Sequence, residues 1–304
     1  MLGRKMASDV QKFVGTDEVK TVKFWKSVTA EVLSTAIMMI VQCSVPLKWP
    51  GNNDSGTTVQ IALGMGFVVM CMIEAFGHIS GAQMNPSVSI AMLIARKISL
   101  LKAIFYIIAQ CSGAFLGSGL IYIITPANAT GGLATTTVNR DMTPAQGMVV
   151  EMYLTFMLVF VIFGATDSRK KITMPSLVIG MAVAMNICTG INHTGASMNP
   201  ARSLGPAVYV NIWTDHWVYW AGPISGAILA TLAYNFGFVL HCTKKEKELE
   251  EEKKYAETLP DPTVIERVCG RYCGTLNSGL MPARVTSEST FTLETSDSTA
   301  HFQL

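Results

Sequence analysis

Six stretches of the chain, residues 28–47, 58–76, 103–124, 147–166, 172–191 and 217–240, are long and apolar, and Glu31, Glu74 and Glu151 are their only charged side chains. A bilayer hydrocarbon core of ~30 Å is crossed by ~20 apolar residues in a helix. Each stretch therefore has the length of a transmembrane helix, and a lipid bilayer is the first partner the sequence implies. Charge distribution says the same. Only 14% of the 304 residues are charged, against about 25% in soluble domains. Residues 243–304 hold 19 of the 44 charges and residues 1–27 hold nine, which leaves 16 for the 215 residues between. An ordinary soluble enzyme is disfavoured. The net charge of +2 also argues against nucleic acid as a partner. The seven cysteines, at 43, 71, 111, 188, 242, 269 and 273, show neither disulfide nor zinc spacing, so reduced thiols are expected.

Residues 1–27 lack the apolar core of a cleavable signal, so the first span is expected to act as its own anchor. Positive charge in short loops sets orientation. One side collects Arg4, Lys5, Lys12, Lys20, Lys23, Lys26, Arg96, Lys97, Lys102, Arg169, Lys170 and Lys171; the other has Lys48 and Arg140. Both termini are therefore expected in the cytosol, and a plasma-membrane location is the natural one. The outer loops carry Asn53-Asp54-Ser55 and Asn128-Ala129-Thr130. Both fit glycosylation acceptors at Asn53 and Asn128, although such tripeptides also arise by chance.

Two apolar segments are too short to span, 85–95 and 199–209, and nearly the same text precedes them. The first reads His78-Ile-Ser-Gly-Ala-Gln-Met-Asn-Pro-Ser87, the second His193-Thr-Gly-Ala-Ser-Met-Asn-Pro-Ala201. Upstream of each lies a span with a glutamate near its start, Glu31 and Glu151. The chain thus reads as two copies of span, span, short segment, span. Three spans per copy is an odd number, so the second copy enters the membrane upside down.

Inverted repeats with interrupted short helices mark a transport site near the bilayer midplane. Asparagine is a strong N-cap and proline is favoured at the first helical position. Asn85-Pro86 and Asn199-Pro200 are therefore each expected to start a half-helix, with non-helical backbone before them. Such backbone is tolerated at membrane depth only inside protein or along a water-filled path. By the symmetry, the half-helices meet N-terminus to N-terminus. Each end contributes about half a positive charge, which repels a cation and lets a neutral hydroxyl compound accept hydrogen bonds. A lone Asn-Pro is most often a turn; two in matching, inverted context specify a pore.

These residues resemble the aquaporin, or major intrinsic protein, family over roughly 24–241. Both Asn-Pro motifs take part, with Met198-Asn-Pro-Ala-Arg-Ser-Leu-Gly-Pro206 and Phe76-Gly-His-Ile-Ser-Gly81 as the most telling text. The wording is nearest the classical animal water-channel branch. The resemblance implies an all-α membrane protein of six transmembrane helices plus two re-entrant half-helices, a pore in every subunit, homotetramers and no cofactor. Residues 1–23 would form a cytosolic segment, 24–241 the channel domain and 242–304 a cytosolic, largely disordered tail.

By the same resemblance, Asn85, Pro86 and Ser87 with Asn199, Pro200 and Ala201 form the central constriction. Met65, Ile187, Ala196 and Arg202 form a narrow outer filter, and Glu31 and Glu151 hold the loops that carry the half-helices. The filter departs from the water-selective pattern, having Ile187 where histidine is usual and Met65 where phenylalanine is common. Ser203, Ala207, Tyr219 and Trp220 nevertheless resemble the water branch. The combination is similar to insect-type channels that transport glycerol on a water-channel scaffold. Water and small neutral solutes such as glycerol or urea are the implied permeants, with protons and ions excluded. A strictly water-selective channel, an ion conductor and a junctional or adhesive protein of the same fold stay open. No metal spacing and no nucleophile–base motif supports an enzyme. Arg202 could alternatively pair with Glu151, and Glu74 has no assigned place.

In the tail, residues 244–254 read as a solvated charged helix. Ser287, Ser289 and Thr290 are candidate phosphorylation sites, Cys269 and Cys273 candidate acylation sites, and Phe302-Gln-Leu304 a candidate ligand for a PDZ-type cytosolic partner.

Overall fold

The computed structural model describes residues 9–50, 56–169 and 172–239. Asn53 and the whole tail, with its charged segment, its modification sites and its PDZ-type ending, lie outside the described residues. Those described form helices and loops, with no strand among them. Six helices are long: α1 (Val22–Ser44), α2 (Thr58–Ser80), α4 (Leu100–Ile124), α5 (Pro144–Ala165), α6 (Pro175–Thr194) and α8 (Val218–Tyr234). Two are short, α3 (Pro86–Ile94) and α7 (Pro200–Val210). Five of the long helices are long and apolar enough to cross a membrane. The sixth, α8, has 17 residues and continues into a π-helical turn, Asn235–Val239.

Helix ends fall where local chemistry puts them, a few residues from the limits of the apolar runs. The first helix begins at Val22, well before the apolar run, because Thr21 caps it by accepting from the Phe24 N–H at 3.2 Å and Phe24 is buried. Helix α5 starts at Pro144 behind a capping box of Thr143 and Gln146, a pair that satisfies two otherwise orphaned donors. Helix α6 starts at Pro175 instead of residue 172, with proline in its first turn.

The repeat expected from the text is present in the packing. Helix α1 packs on α4 as α5 packs on α8, α1 on α2 as α5 on α6, and each half-helix lies against a helix of the other copy, α7 on α4 and α3 on α8. The two copies cross at α2 and α6, where Gly66 and Gly180 face each other. A Cβ on Gly66 would sit 2.5 Å from the Gly180 carbonyl oxygen, and one on Gly180 would sit 2.7 Å from that of Gly66. Close approach also explains Gly113, Gly117 and Gly226, whose added Cβ atoms would meet the carbonyls of Val32, Ala36 and Met152 at 2.1–2.4 Å. Small residues let backbones dock where lipid gives no hydrophobic drive for association.

At the end of the molecule that carries Arg96, Lys97 and Arg169, here the basic end, Asp167 ties α5 to α8. It pairs with Arg169, accepts from the Tyr234 hydroxyl at 2.6 Å, and Arg169 donates to the Phe238 carbonyl at 3.0 Å. Hydrogen bonds from Arg169 and then Tyr234 hold the Asp167 carboxyl well below the usual carboxylate range. This staple engages the π turn that lengthens α8.

Candidate functional site

Residues 81–85 and 195–199 are non-helical, and each begins where a helix stops in a left-handed glycine, Gly81 (φ 94°) and Gly195 (φ 80°). Within them Ala82, Met84, Ala196 and Met198 also have φ between 44° and 56°. Non-glycine residues held there cost of order 1–3 kcal/mol each and persist only when their surroundings over-determine them.

The surroundings are two matching clamps. The Glu31 carboxyl accepts from the Ser80 hydroxyl (2.6 Å), the Gln83 and Met84 N–H groups (2.9 and 2.8 Å) and the Gln110 amide (2.9 Å). The Glu151 carboxyl accepts from the Thr194 hydroxyl (2.6 Å) and the Ser197 and Met198 N–H groups (2.9 and 2.7 Å). Both glutamates are fully buried. The second clamp has one donor fewer: Gln110 stands four residues after Tyr106, whereas Pro223, which has no side-chain donor, stands four residues after Tyr219. The two tyrosines complete the symmetry by donating to the Ser80 and Thr194 carbonyls at 2.9 and 2.8 Å.

Asn85 and Asn199 cap their half-helices as the motif implies. The Asn85 side chain accepts from Ser87 N–H at 2.9 Å, and that of Asn199 from Ala201 and Arg202 N–H at 3.0 and 3.3 Å. Their amides then reach across: Asn85 donates to the Met198 carbonyl and Asn199 to the Met84 carbonyl, each at 2.8 Å. The half-helices therefore meet N-terminus to N-terminus through a reciprocal lock. An amide carries two donors, so one on each asparagine remains free.

A cavity of about 490 Å³ runs past this junction. Lys23, Lys97, Lys102 and Pro175 line its basic end. Asn85 and Asn199 line its middle, and Met65, Ile187, Ala196 and Arg202 its far part. All four residues expected as a filter thus line one cavity. Pro86, Ser87, Pro200 and Ala201 do not reach the cavity; they are packed inside the half-helix N-termini. Arg202 is 4% exposed and donates to the Ala134 carbonyl at 2.7 Å. No carboxylate among the described residues pairs with it, so the alternative ion pair with Glu151 is not formed. Glu74 lies on the outer surface, accepts from the Ser176 hydroxyl at 2.8 Å, and is absent from the cavity wall. Asn128 is exposed on a single helical turn, Ala127–Thr130.

Several supporting groups carry no legible sequence signal. The Ala134 carbonyl is backbone, set by a loop with positive φ at Leu133 and Ala134. Ser203 bridges Thr136 and Ser197 at 2.7 and 2.6 Å, a link visible only once the loop is folded onto α7. Gln42 also reaches the cavity wall; a polar residue inside an apolar span was the signal that could have found it.

None of the described cysteines, Cys43, Cys71, Cys111 and Cys188, lines the cavity, and Ala196 offers no thiol on its wall. Mercuric ion is expected to slow water flow only weakly, acting through exposed Cys188 beside Ile187. Complete block surviving Cys188→Ser in an osmotic-shrinkage assay would contradict this arrangement.

Paired half-helices, locked at mid-depth beside a cavity inside a bundle of apolar helices, define a multi-pass membrane channel. Residues 18–234 match the sequence model of the family described as Major intrinsic protein, and the chain belongs to that family. Among its relatives, Aquaporin-4 of Mus musculus is 44% identical over 243 residues, covering 79% of this chain and 75% of the relative. Aquaporin-5 of Sus scrofa is 44% identical over 220 residues, covering 71% and 82%. The X-ray structure of the aquaglyceroporin from Plasmodium falciparum superposes with a TM-score of 0.63 at 24% identity, covering 70% of this chain and 96% of that one. At that identity the likeness concerns the fold.

Proposed function

We propose that this aquaporin-family channel passes water together with small neutral solutes such as glycerol or urea, and that it excludes protons and ions. The observation that carries the reading is the cavity wall, on which the two free asparagine donors and Met65, Ile187, Ala196 and Arg202 lie in one continuous space. Asn85 and Asn199 orient each permeant at the middle, where the two helix N-termini add positive potential. Met65 and Ile187 give hydrocarbon contact, and Arg202 gives donors to a hydroxyl or carbonyl oxygen. An apolar, flexible methionine facing a guanidinium suits a molecule with one apolar and one polar side. Glu31 and Glu151 act at one remove by fixing the two loops. The channel works in the plasma membrane with both termini cytosolic, as the loop charges imply, and as a homotetramer. A PDZ-type partner at Phe302-Gln303-Leu304 completes the reading.

The deciding experiment is flux through reconstituted protein, in water and then in isosmotic glycerol or urea. Wild-type protein is expected to pass all three. Ile187→His narrows the wall and adds a donor, so solute flux should fall sharply while water flow persists. Wild-type protein that shrinks osmotically but takes up neither solute would make the channel water-selective, with the β-branched Ile187 as the occluding group.

A further inference from the structure

Gln42 sits in the last turn of α1, two residues before its end at Ser44, is 6% exposed and lines the cavity. Its side chain forms no hydrogen bond with any described residue. Among the described residues, the buried side-chain atoms without partners are Thr35 Oγ1, Ser87 Oγ, Thr135 Oγ1 and His216 Nε2. The Gln42 amide is not among them, so its atoms reach open space, and the space beside it is the cavity. A buried amide without a partner costs about 1–3 kcal/mol. Its presence inside an apolar helix therefore calls for hydrogen-bonding molecules in the cavity.

Neighbouring contacts fix its depth. Val45 packs on Gly64, where an added Cβ would lie 3.0 Å from Val45 Cγ2, so the end of α1 is level with the turn of α2 that carries Met65. Cys43 Sγ lies 3.6 Å from Ser118 Oγ, and Ser118 Oγ lies 2.5 Å from where a Cβ on Gly205 would be. Gly205 is one turn beyond Arg202. Gln42 therefore stands at the level of Met65 and Arg202.

At this level the side chains are complementary in one respect. Met65, Ile187 and Ala196 carry no strong hydrogen-bonding group, and a guanidinium only donates. Gln42 Oε1 is the one strong side-chain acceptor among these five residues. A polyol hydroxyl needs a donor for its oxygen and an acceptor for its hydrogen; urea needs the same for its carbonyl and its N–H groups. We propose that Gln42 is a fifth selectivity residue of the outer constriction, which accepts from the O–H or N–H of a passing polyol or amide while Arg202 donates to its oxygen. This rests on the reading that such solutes pass.

The test uses the full chain in proteoliposomes, with water, glycerol and urea flux normalised per channel, for wild type, Gln42→Leu and Gln42→Met. Both substitutions keep the size and remove an amide that hydrogen-bonds to no described residue, so they orphan no partner among those residues. Glycerol and urea flux should fall about fivefold, the equivalent of one net hydrogen bond, with water flow changed by less. Solute flux equal to wild type in both variants would overturn the assignment. If wild type passes neither solute, the broad-filter reading fails by itself, and the same pair is compared in an Ile187→Ala background, whose wider wall admits them. A fivefold fall there supports the role of Gln42, and equal flux overturns it.

Discussion

Arg202→Val should raise proton conductance by about two orders of magnitude while leaving osmotic water flow within a small factor of wild type. The guanidinium is buried on the cavity wall, anchored by a neutral carbonyl, and no carboxylate among the described residues forms an ion pair with it. A unit charge ~5 Å from an entering cation costs about 3 kcal/mol at an effective dielectric constant of 20, and each 1.36 kcal/mol is tenfold in rate. Removing it should lower the outer barrier by that amount. The paired half-helix N-termini remain and keep part of the exclusion. Water carries no net charge and gains room from the smaller side chain. Acidification of dye-loaded proteoliposomes, measured beside osmotic shrinkage, tests this directly. Proton conductance unchanged from wild type would strip Arg202 of its electrostatic role.

Glu151→Leu should abolish the pore altogether. Its carboxyl receives three donors, two of them backbone N–H groups of the loop that carries Ala196 and Met198 in left-handed conformations. Leucine fills the space and accepts nothing. Each orphaned buried donor costs about 1–3 kcal/mol, and the strain of the loop then has nothing to oppose it. Loss of this order rivals the whole net stability of a typical domain, 5–15 kcal/mol. A markedly lower unfolding temperature in detergent and loss of water flow per channel are expected. Glu151→Gln should be milder, since it keeps one acceptor and still leaves at least one N–H facing an NH2 group. Wild-type melting and wild-type flow in Glu151→Leu would show that the loop is held by other means. Glu31→Leu, which removes the acceptor of four donors, is expected to behave alike.

Six apolar runs in a chain with few internal charges, together with two near-copies of Gly-Ala-x-Met-Asn-Pro an odd number of spans apart, determined the architecture. Hydrophobic length and N-cap chemistry are local properties, so they are written in consecutive residues. That is why the half-helices begin at Pro86 and Pro200, one residue after each asparagine, as the motif implies. The clamping role of Glu31 and Glu151 was reachable only through the family resemblance; nothing in their own sequence neighbourhood names Ser80, Thr194 or the loop N–H groups as partners.

Tertiary structure decided what depends on residues far apart in the chain. The cross-links from Asn85 to the Met198 carbonyl and from Asn199 to the Met84 carbonyl span more than a hundred residues. The anchor of Arg202 is a backbone oxygen, which every residue possesses and no sequence distinguishes. Glu74 and Glu31 read alike as carboxyls in apolar spans, yet one faces outward to Ser176 and the other is sealed inside. Which side of a helix meets the cavity is settled by packing against the other copy of the repeat, and the same cause brings Gln42 to the wall beside Met65. Local sequence fixes where a helix starts and that it lies in the membrane, whereas the cavity belongs to all the helices at once.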